Sequence, residues 1–312
     1  MTRPVPGTFV CLLLSLWVLS LADVAHCQKK STAERLGHPA DAKLLIIHAD
    51  DLALAHSVDQ ASLDALDRRA VTCGSIMVPC PWLTEVAAYV NTHPDADLGL
   101  HLTLTSEWKS FRWGPLASRR DVPGLIDPTG YLWPDSPPVV KSAKAAEVEL
   151  ELRAQIDTAL KAGIRPTHMD SHMGTLFVPQ YFPTYVKLAR EYGMPFLALR
   201  SMVAAQGMLG QIKDTDIIPD TVAMANEGVR PERWMEYYLG IIKSLKPGLT
   251  EMIVHLGKDD TDLQAIMEGH PAYGSAWRQR DFDVVTSPEF RKALDDNHVI
   301  LVGWREIKRI YD

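Results

Sequence analysis

The chain has 312 residues, and its first 27 have the features of a secretory signal peptide. Without them about 285 residues remain, and the formal net charge stays at −7 because one arginine and one aspartate are lost together. A mildly acidic chain without a basic run argues against a nucleic-acid partner. Its length is sufficient for one large α/β domain with a substantial core.

The N-terminal segment predicts export to the periplasm or the cell exterior. Arg3 supplies a positive start, residues 9–22 form an apolar stretch, and residues 25–27 offer a cleavage site. The stretch is shorter than the ~20 residues that a membrane span needs, and its flanks fit a secretory signal. An uncleaved membrane anchor and a lipid attached at Cys27 are the alternatives, and no stable membrane partner is expected.

Two of the four cysteines, Cys73 and Cys80, lie clearly within the mature chain. In an oxidising compartment they could form a disulfide, and two buried thiols fit the apolar surroundings equally well. Two cysteines at this spacing with no second pair do not make a zinc knuckle.

Apolar runs alternate with helical patterns along the chain after a polar leader, residues 28–42, which we expect to be loose. Such alternation is typical of a parallel sheet, and the pattern predicts one domain over residues 43–312. The predicted fold class is α/β, a (βα) barrel, closed or incomplete, of about seven parallel strands. The predicted strands are 43–49, 71–78, 98–104, 166–171, 196–199, 251–256 and 299–302, and the predicted helices are 58–69, 82–92, 143–162, 181–192, 233–245 and 287–297. Residues 201–230 carry no clear pattern.

An irregular insertion near residues 105–140 interrupts the alternation. It contains Trp108, Trp113 and Trp133 and several prolines. A long loop directly after a strand that carries a candidate ligand is typical of a substrate-binding excursion. Aromatic faces can support sugar rings, although large aromatic residues are often core residues of a loop. Weaker candidates for substrate contact are Tyr131, Arg112, Trp277 and Arg278.

Four short segments carry the residues of a candidate hydrolytic site. Three of them directly follow an apolar run, which places them at the carboxyl ends of strands, where βα folds build their active sites. Carboxylates and imidazoles at several strand ends suit a metal centre that performs hydrolysis. The segments are His48-Ala49-Asp50-Asp51, Gly99-Leu100-His101-Leu102, His168-Met169-Asp170-Ser171-His172 and Val254-His255-Leu256-Gly257.

The adjacent acids Asp50 and Asp51 admit two interpretations. Neighbouring strand residues point to opposite faces, so that one could bind a metal while the other takes a proton. The alternative is a pair of acids that cap the following helix. His101 lies inside an apolar run, where a histidine is more often a core residue than a ligand.

The alternating run His168-Met169-Asp170-Ser171-His172 is a stronger signal, because residues i and i+4 share a face in either a strand end or a helical turn. A metal site also needs acceptors for the outer N–H groups of its imidazoles, and Asp170 is available. His255 closes a later strand and could act as a general acid.

Together these segments resemble the YdjC-like family of carbohydrate deacetylases. Its pattern is a strand followed by N/H-A-D-D, then G-x-H-x-x-L-T, then T-H-x-D-S-H and a late His-containing turn. The same order appears here at residues 48–54, 99–105, 167–172 and 254–257, and the match extends from about residue 43 to residue 305.

The resemblance implies a distorted (βα) barrel related to the polysaccharide deacetylases and one divalent metal held by Asp51, His101 and His172. It implies Asp50 as general base and His255 as candidate general acid. His168 and Asp170 are then candidates to orient the ligands, with His168 an alternative ligand to His172. The implied substrate is an N-acetylated oligosaccharide.

The chain departs from the family pattern at the margins of the site. Ala53 stands where glycine is usual, Met173-Gly174-Thr175 replaces a His-rich run, and Leu256 stands where proline is common. These changes bear on the substrate more than on the proposed ligands.

Two imidazoles and one carboxylate favour zinc, and cobalt, nickel, iron or manganese are also compatible. Magnesium prefers oxygen ligands and suits this set less well. Two rival functions remain open, a glycoside hydrolase with paired acids and a non-catalytic sugar- or metal-binding protein.

Overall fold

The computed structural model describes residues 1–2 and 30–311. The predicted signal peptide, including Cys27, therefore lies outside the described residues apart from its first two. Across the described ranges, no helix combines the length and the apolar character that crossing a membrane requires.

Strands and helices alternate along most of the described chain. The strands are β1 Lys43–Leu52, β2 Cys73–Ile76, β3 Leu98–Leu102, β4 Met169–Ser171, β5 Thr221–Ala223, β6 Gly248–Val254 and β7 Val299–Leu301. The helices are α1 Thr32–Arg35, α2 His56–Asp67, α3 Leu83–Thr92, α4 Ser136–Ser142, α5 Ala145–Lys161, α6 Phe182–Glu191, α7 Arg200–Ala205, α8 Trp234–Ser244, α9 Thr261–Ile266, α10 Ser275–Val285, α11 Pro288–Asp296 and α12 Trp304–Tyr311.

All the strand pairs are parallel, as the sequence predicts, and the strands form an α/β distorted barrel. Six strands follow one another in the order β4-β3-β2-β1-β6-β5, and β7 pairs with the first residues of β1. Because the path ends at β4 and β5, the barrel is incomplete. The parallel arrangement brings the carboxyl ends of the strands to one edge, where ligands bind in such folds.

The central strand β1 supplies both the core and the site. Its first half is the apolar run Leu44-Leu45-Ile46-Ile47, which is buried because neighbouring strands and helices cover it. Its second half carries His48, Asp50 and Asp51, which are buried as well. The site is therefore an extension of the core strand rather than a surface loop.

One predicted strand is wrong, and another strand takes its place in the count. Residues 196–199 form only a bridge, between Phe196 and Met169 of the three-residue strand β4. The seventh strand is instead β5, within residues 201–230, where the sequence has no clear pattern.

The leader and the insertion are more ordered than the sequence suggests. Helix α1 lies in the leader, where Ser31 and Glu34 form a capping box and Ala33 is buried. Helix α4 lies at the end of the insertion; Asp135 caps it, and its prolines stand in the first turn, where a proline costs no hydrogen bond.

Cys73 and Cys80 are both free and buried. The structure therefore selects the two buried thiols over the disulfide. Burial raises the pKa of the Cys73 thiol to about 12, so that it stays protonated.

Candidate metal centre

Three buried side chains converge at the carboxyl edge of the sheet. Asp51 Oδ1 lies 3.3 Å from His101 Nε2 and 3.4 Å from His172 Nδ1, and the two nitrogens are 3.1 Å apart. Asp51 comes from β1, His101 from β3, and His172 from the turn after β4. These are the residues that the family resemblance implies as metal ligands.

The three atoms fit a metal ion on geometric grounds. Nitrogen and oxygen ligands at about 2.0–2.1 Å from a tetrahedral zinc stand about 3.3 Å from one another. Asp51 Oδ1 is buried and has no hydrogen-bond partner in the described part of the chain. A buried carboxylate oxygen without a donor is costly, and a cation between it and the two imidazoles would remove that cost.

Each imidazole is oriented by a carboxylate on its outer nitrogen. His101 Nδ1 donates to Asp170 Oδ1 at 2.7 Å, and these two residues are register partners on β3 and β4. His172 Nε2 contacts both carboxylate oxygens of Glu107, at 3.1 and 3.2 Å. A proton on each outer nitrogen leaves a lone pair on the inner one, which is the arrangement typical of metal-binding histidines.

The carboxylates also set the charge of the metal-free site. Burial alone would lower the pKa of His172, but Glu107 and Asp51 outweigh burial and raise that pKa to about 9. Burial is likewise outweighed at His101, whose pKa rises well above its usual range beside Asp170 and Asp50. Metal binding at these nitrogens must therefore displace protons.

A local irregularity of β1 brings both acids to the same site. The register between β1 and β2 shifts between Ala49 and Leu52, and Asp51 has a positive φ of 68°. The two adjacent carboxylates do not point to opposite faces as a regular strand would require. Asp50 Oδ2 lies 3.8 Å from His101 Nε2, close to the three candidate ligand atoms.

Arg278 fixes the second oxygen of Asp51. Its Nη2 donates to Asp51 Oδ2 at 2.6 Å, and both side chains are buried. Burial would raise the pKa of Asp51, but the guanidinium charge outweighs it and holds that pKa well below its usual range. Arg278, a weak candidate for substrate contact, is thus bound to the ligand cluster, and only Asp51 Oδ1 is left for a cation.

Asp50 and His255 complete the site. Burial raises the pKa of Asp50 to about 6, against the opposing charges of His101 and His48. His255 Nε2 lies 3.8 Å from Asp50 Oδ2, and its backbone N–H donates to Asp281. Burial lowers the pKa of His255 to about 3, so that its imidazole is neutral near pH 7. A general acid at this position would first have to receive a proton.

His48 lies beneath the site and links three carboxylates. Its Nδ1 donates to Glu251 at 2.5 Å, and its Nε2 lies 3.2 Å from Asp50 Oδ1 and 3.1 Å from Asp170 Oδ2. Burial would lower the pKa of His48, but the carboxylates of Asp170 and Glu251 outweigh it and raise that pKa well above its usual range. The resulting imidazolium holds the candidate base and the carboxylate that orients His101 at a fixed spacing.

His168 lies apart from the three candidate ligand atoms. It is fully buried, its ring stacks on Trp304 with centroids 5.0 Å apart, and its Nδ1 contacts Thr167 Oγ1 at 2.9 Å. The strand ends at Ser171 and the chain then turns, so residues 168 and 172 do not share the face that an unbroken element would give them. The structure therefore brings His172, and not His168, into the ligand cluster.

Two tryptophans of the insertion are held by backbone carbonyls. Trp113 is buried and its Nε1 donates to the carbonyl of Thr105, which favours the alternative that the sequence leaves open, a core residue of the insertion. Trp133 is half-buried, and its Nε1 donates to the carbonyl of Gly124. Both indole rings are thus anchored within the insertion itself.

Trp108 approaches the ligand cluster from the insertion. Its ring lies 4.9 Å from that of His270, and the guanidinium of Arg278 is 6.0 Å from its centroid. Its Nε1 is buried without a partner among the described residues. Contact of Trp108 and Trp133 with substrate stays a prediction.

The remaining weak candidates for substrate contact are Arg112, Tyr131 and Trp277. Arg112 donates to Asp127 and to the carbonyl of Leu132, and its guanidinium lies 5.4 Å from the exposed ring of Tyr131. Trp277 is buried. The hydrogen bonds of Arg112 therefore connect residues of the insertion to one another.

Sequence reasoning missed Glu107 and Glu251 and gave Arg278 a different role. Glu107 stands five residues after the end of β3, in the insertion, and an acid in a loop has no pattern that marks it. Glu251 lies in the apolar run of β6, where a buried charge does stand out and indicates a partner. Arg278 lies in α10, far along the chain from Asp51, so that only the tertiary structure reveals the pair.

Fold and site together define an α/β protein with a buried Asp-His-His cluster, a candidate set of metal ligands, at the carboxyl edge of a parallel sheet. A family model described as YdjC-like protein matches residues 44–296. The chain belongs to the YdjC-like family.

Relatives with established names cover most of the chain. A carbohydrate deacetylase of Thermus thermophilus is 30% identical over 286 residues, which is 88% of this chain and 97% of that protein. A chitooligosaccharide deacetylase of Yersinia enterocolitica is 29% identical over 178 residues, which is 54% of this chain and 64% of that protein. The crystal structure of a putative cellobiose-phosphate cleavage protein from Enterococcus faecalis is 27% identical, with a TM-score of 0.72, and covers 85% of this chain and 99% of that one.

Proposed function

We propose that the protein is a metal-dependent hydrolase that removes acetyl groups from N-acetylated oligosaccharides. The observation that carries the proposal is the convergence of Asp51 Oδ1, His101 Nε2 and His172 Nδ1. Beside them lie the carboxylate of Asp50 and the imidazole of His255, which are not among the proposed metal ligands. The names of the relatives, carbohydrate deacetylase and chitooligosaccharide deacetylase, support an acetylated sugar as the substrate class.

The ligand set favours zinc as the metal. Asp51, His101 and His172 would hold it, since two imidazoles and one carboxylate leave positions open for water and substrate. When bound, the ion would supply a Lewis acid that polarises the acyl carbonyl and makes water more acidic. Cobalt, nickel, manganese and magnesium are alternatives, and an assay of acetate release with each metal supplied in turn distinguishes them.

The proton transfers fall to two side chains. Asp50 has a pKa of about 6, so that near pH 7 it is ionised and can accept a proton from the attacking water at Oδ2. His255 Nε2 lies 3.8 Å from that oxygen, which makes its imidazole the candidate to deliver a proton to the departing amine. His48 and Ser75 hold the other oxygen of Asp50 and keep its carboxylate in place.

We also propose that the protein is exported. Arg3, the apolar residues 9–22 and the small residues near position 25 support this. Determination of the N-terminus by intact-mass analysis of the secreted or periplasmic protein tests it, and retention of residues 1–27 on a protein in the cytoplasmic fraction would contradict it.

The test of function is acetate release from a panel of N-acetylated and O-acetylated sugars, with Zn²⁺, Co²⁺, Ni²⁺, Mn²⁺ or Mg²⁺ supplied. We expect metal-dependent release from N-acetylated oligosaccharides. His172→Ala should abolish both metal binding and activity, whereas Asp50→Asn should keep the metal and lose turnover by at least about 100-fold, the range typical of a general base. His93→Ala, which changes an exposed histidine, is the matched control and should behave as wild type.

The same measurements separate the rival functions. A glycoside hydrolase would keep its activity after chelation and would release sugar rather than acetate. A non-catalytic binding protein would release nothing, and its Asp50→Asn variant would bind sugar like the wild type. Absence of acetate from every substrate while one metal is bound would contradict the deacetylase proposal and leave the metal centre in place.

A further inference from the structure

Glu107 is held in its position by contacts on both sides of it in the chain. The backbone N–H of Ser106 donates to the carbonyl of Trp133, and Ser106 Oγ accepts hydrogen bonds from the Trp113 N–H and from Arg112. On the other side, the Trp108 ring is buried against His270. The position of the Glu107 backbone is therefore fixed by the insertion and does not depend on its own side chain.

The Glu107 side chain points toward His172 Nε2. Both its carboxylate oxygens lie within 3.2 Å of His172 Nε2, and its side chain is 17% exposed. The inner nitrogen of the same ring faces Asp51 Oδ1 and His101 Nε2. Removing Glu107 would leave an outer N–H of His172 without an acceptor and would free the ring to rotate or to change its protonated nitrogen.

His101 and His172 differ in what orients them. The acceptor of His101 is Asp170, which lies on the neighbouring strand and belongs to the core of the sheet. The acceptor of His172 belongs to the insertion, and the adjacent residue Trp108 lies near Arg278, which binds Asp51. The insertion thus supplies the acceptor of His172 and lies beside Arg278, which binds Asp51.

We propose that Glu107 is a positioning residue of the metal centre, which fixes His172 with Nδ1 toward the ion and makes metal retention depend on the insertion. The inference rests on the proposed function only in taking Asp51, His101 and His172 as the metal site. Glu107 acts through His172 and needs no contact with substrate. Glu107, in a loop, orients His172 in the same way that Asp170, in the sheet, orients His101.

The test measures metal affinity without substrate. The Zn²⁺ dissociation constant is determined by competition with a chelator, and the absorption spectrum of the Co²⁺ protein reports the geometry of the site. For Glu107→Ala we expect an affinity loss of about 10–100-fold and an altered cobalt spectrum. Glu107→Gln keeps the shape and a neutral acceptor, so its loss should be smaller but at least several-fold.

Glu268→Gln is the matched control. Glu268 is an exposed acid that pairs with Lys109, two residues from Glu107 in the chain, and its replacement should leave both the affinity and the spectrum unchanged. At saturating Zn²⁺ the Glu107→Gln variant should recover most of the wild-type kcat, because its defect lies in holding the ion. The Gln variant also decides the question if Glu107→Ala does not fold.

The outcomes distinguish failure of the inference from failure of the proposed function. Wild-type affinity and spectrum in both Glu107 variants, with His172→Ala unable to bind metal, would overturn the inference and leave the proposed function intact. Weakened metal binding in the variants of a protein that releases no acetate would support the inference and contradict the proposed function. A wild-type protein that binds none of the metals would overturn both.

Discussion

Backbone strain is concentrated around the candidate metal centre. Four residues at the site have a positive φ without being glycine, namely Asp51, Ala53, Met173 and Tyr273. Each such residue costs about 1–2 kcal/mol. Ala53, with φ of 72°, stands where the family usually has glycine, and a hydrogen bond from its N–H to Asp59 holds it there.

His168 is a buried histidine whose effect on stability can be isolated. Burial, and next the charge of His48, lower the pKa of His168 well below its usual range, so that it is neutral in the folded protein. In the unfolded chain its pKa is about 6.5. Between these two values the unfolded state binds the extra proton, so the stability that a neutral His168 allows is present above pH 6.5 and is lost as the pH falls.

We therefore expect His168→Gln to remove one proton from the pH dependence of unfolding. From pH 7.5 to pH 5 the wild type should lose about 2 kcal/mol of stability relative to the variant. Urea unfolding of the metal-free proteins at both pH values measures this difference. A difference between the two proteins that stays constant with pH would show that His168 does not remain neutral in the fold.

Strand β3 and helix α12 enclose His168 between them. A Cβ atom built on Gly99 would lie 2.5 Å from the His168 ring, whose other face stacks on Trp304. Neither neighbour can move freely, because all three belong to the packed core. Gly99 is therefore required for the close approach of the ring to the strand.

Two glycine-to-alanine substitutions should have opposite effects. Gly99→Ala should destabilise the protein by about 1–3 kcal/mol through overpacking. Gly240→Ala, in the exposed part of α8 with no atom near the added methyl, should stabilise it by about 1 kcal/mol through helix propensity. Denaturant unfolding of both variants checks the pair, and a Gly99→Ala variant as stable as wild type would contradict the packing argument.

At the scale of the whole molecule, the candidate ligands join segments far apart in the chain. Asp51 lies in β1, His101 in β3 and His172 after β4, while Arg278 reaches Asp51 from α10. An ion held by these residues links segments that separate on unfolding. Metal binding must therefore stabilise the folded state.

Zn²⁺ at 100 times its dissociation constant should add about 2.7 kcal/mol to the free energy of unfolding. Chelation should remove this increment, and His172→Ala should show no metal effect at all. Thermal and denaturant unfolding with and without Zn²⁺ measure it. A wild-type protein whose free energy of unfolding is the same with and without Zn²⁺ would contradict the proposed metal centre.

The order of elements could be predicted because it depends on local patterns. The apolar run of β1 and the alternation of strands with helices indicate a parallel sheet, whose strand ends share one edge. This pattern is enough to predict that Asp51, His101 and His255 lie near one another. The strand predicted at residues 196–199 was wrong because an apolar run does not show which of its residues a neighbouring strand will pair with, and only Phe196 bridges β4.

The sequence by itself determined the fold class, the family and the candidate residues of the site. Only the tertiary structure decided how those residues are arranged, namely His172 rather than His168 in the ligand cluster, Glu107 behind His172, and Arg278 on Asp51. The reason is physical: strand patterns arise from contacts that every strand of this class makes, whereas the protonation and orientation of a buried side chain depend on partners that lie up to 227 positions away in the sequence.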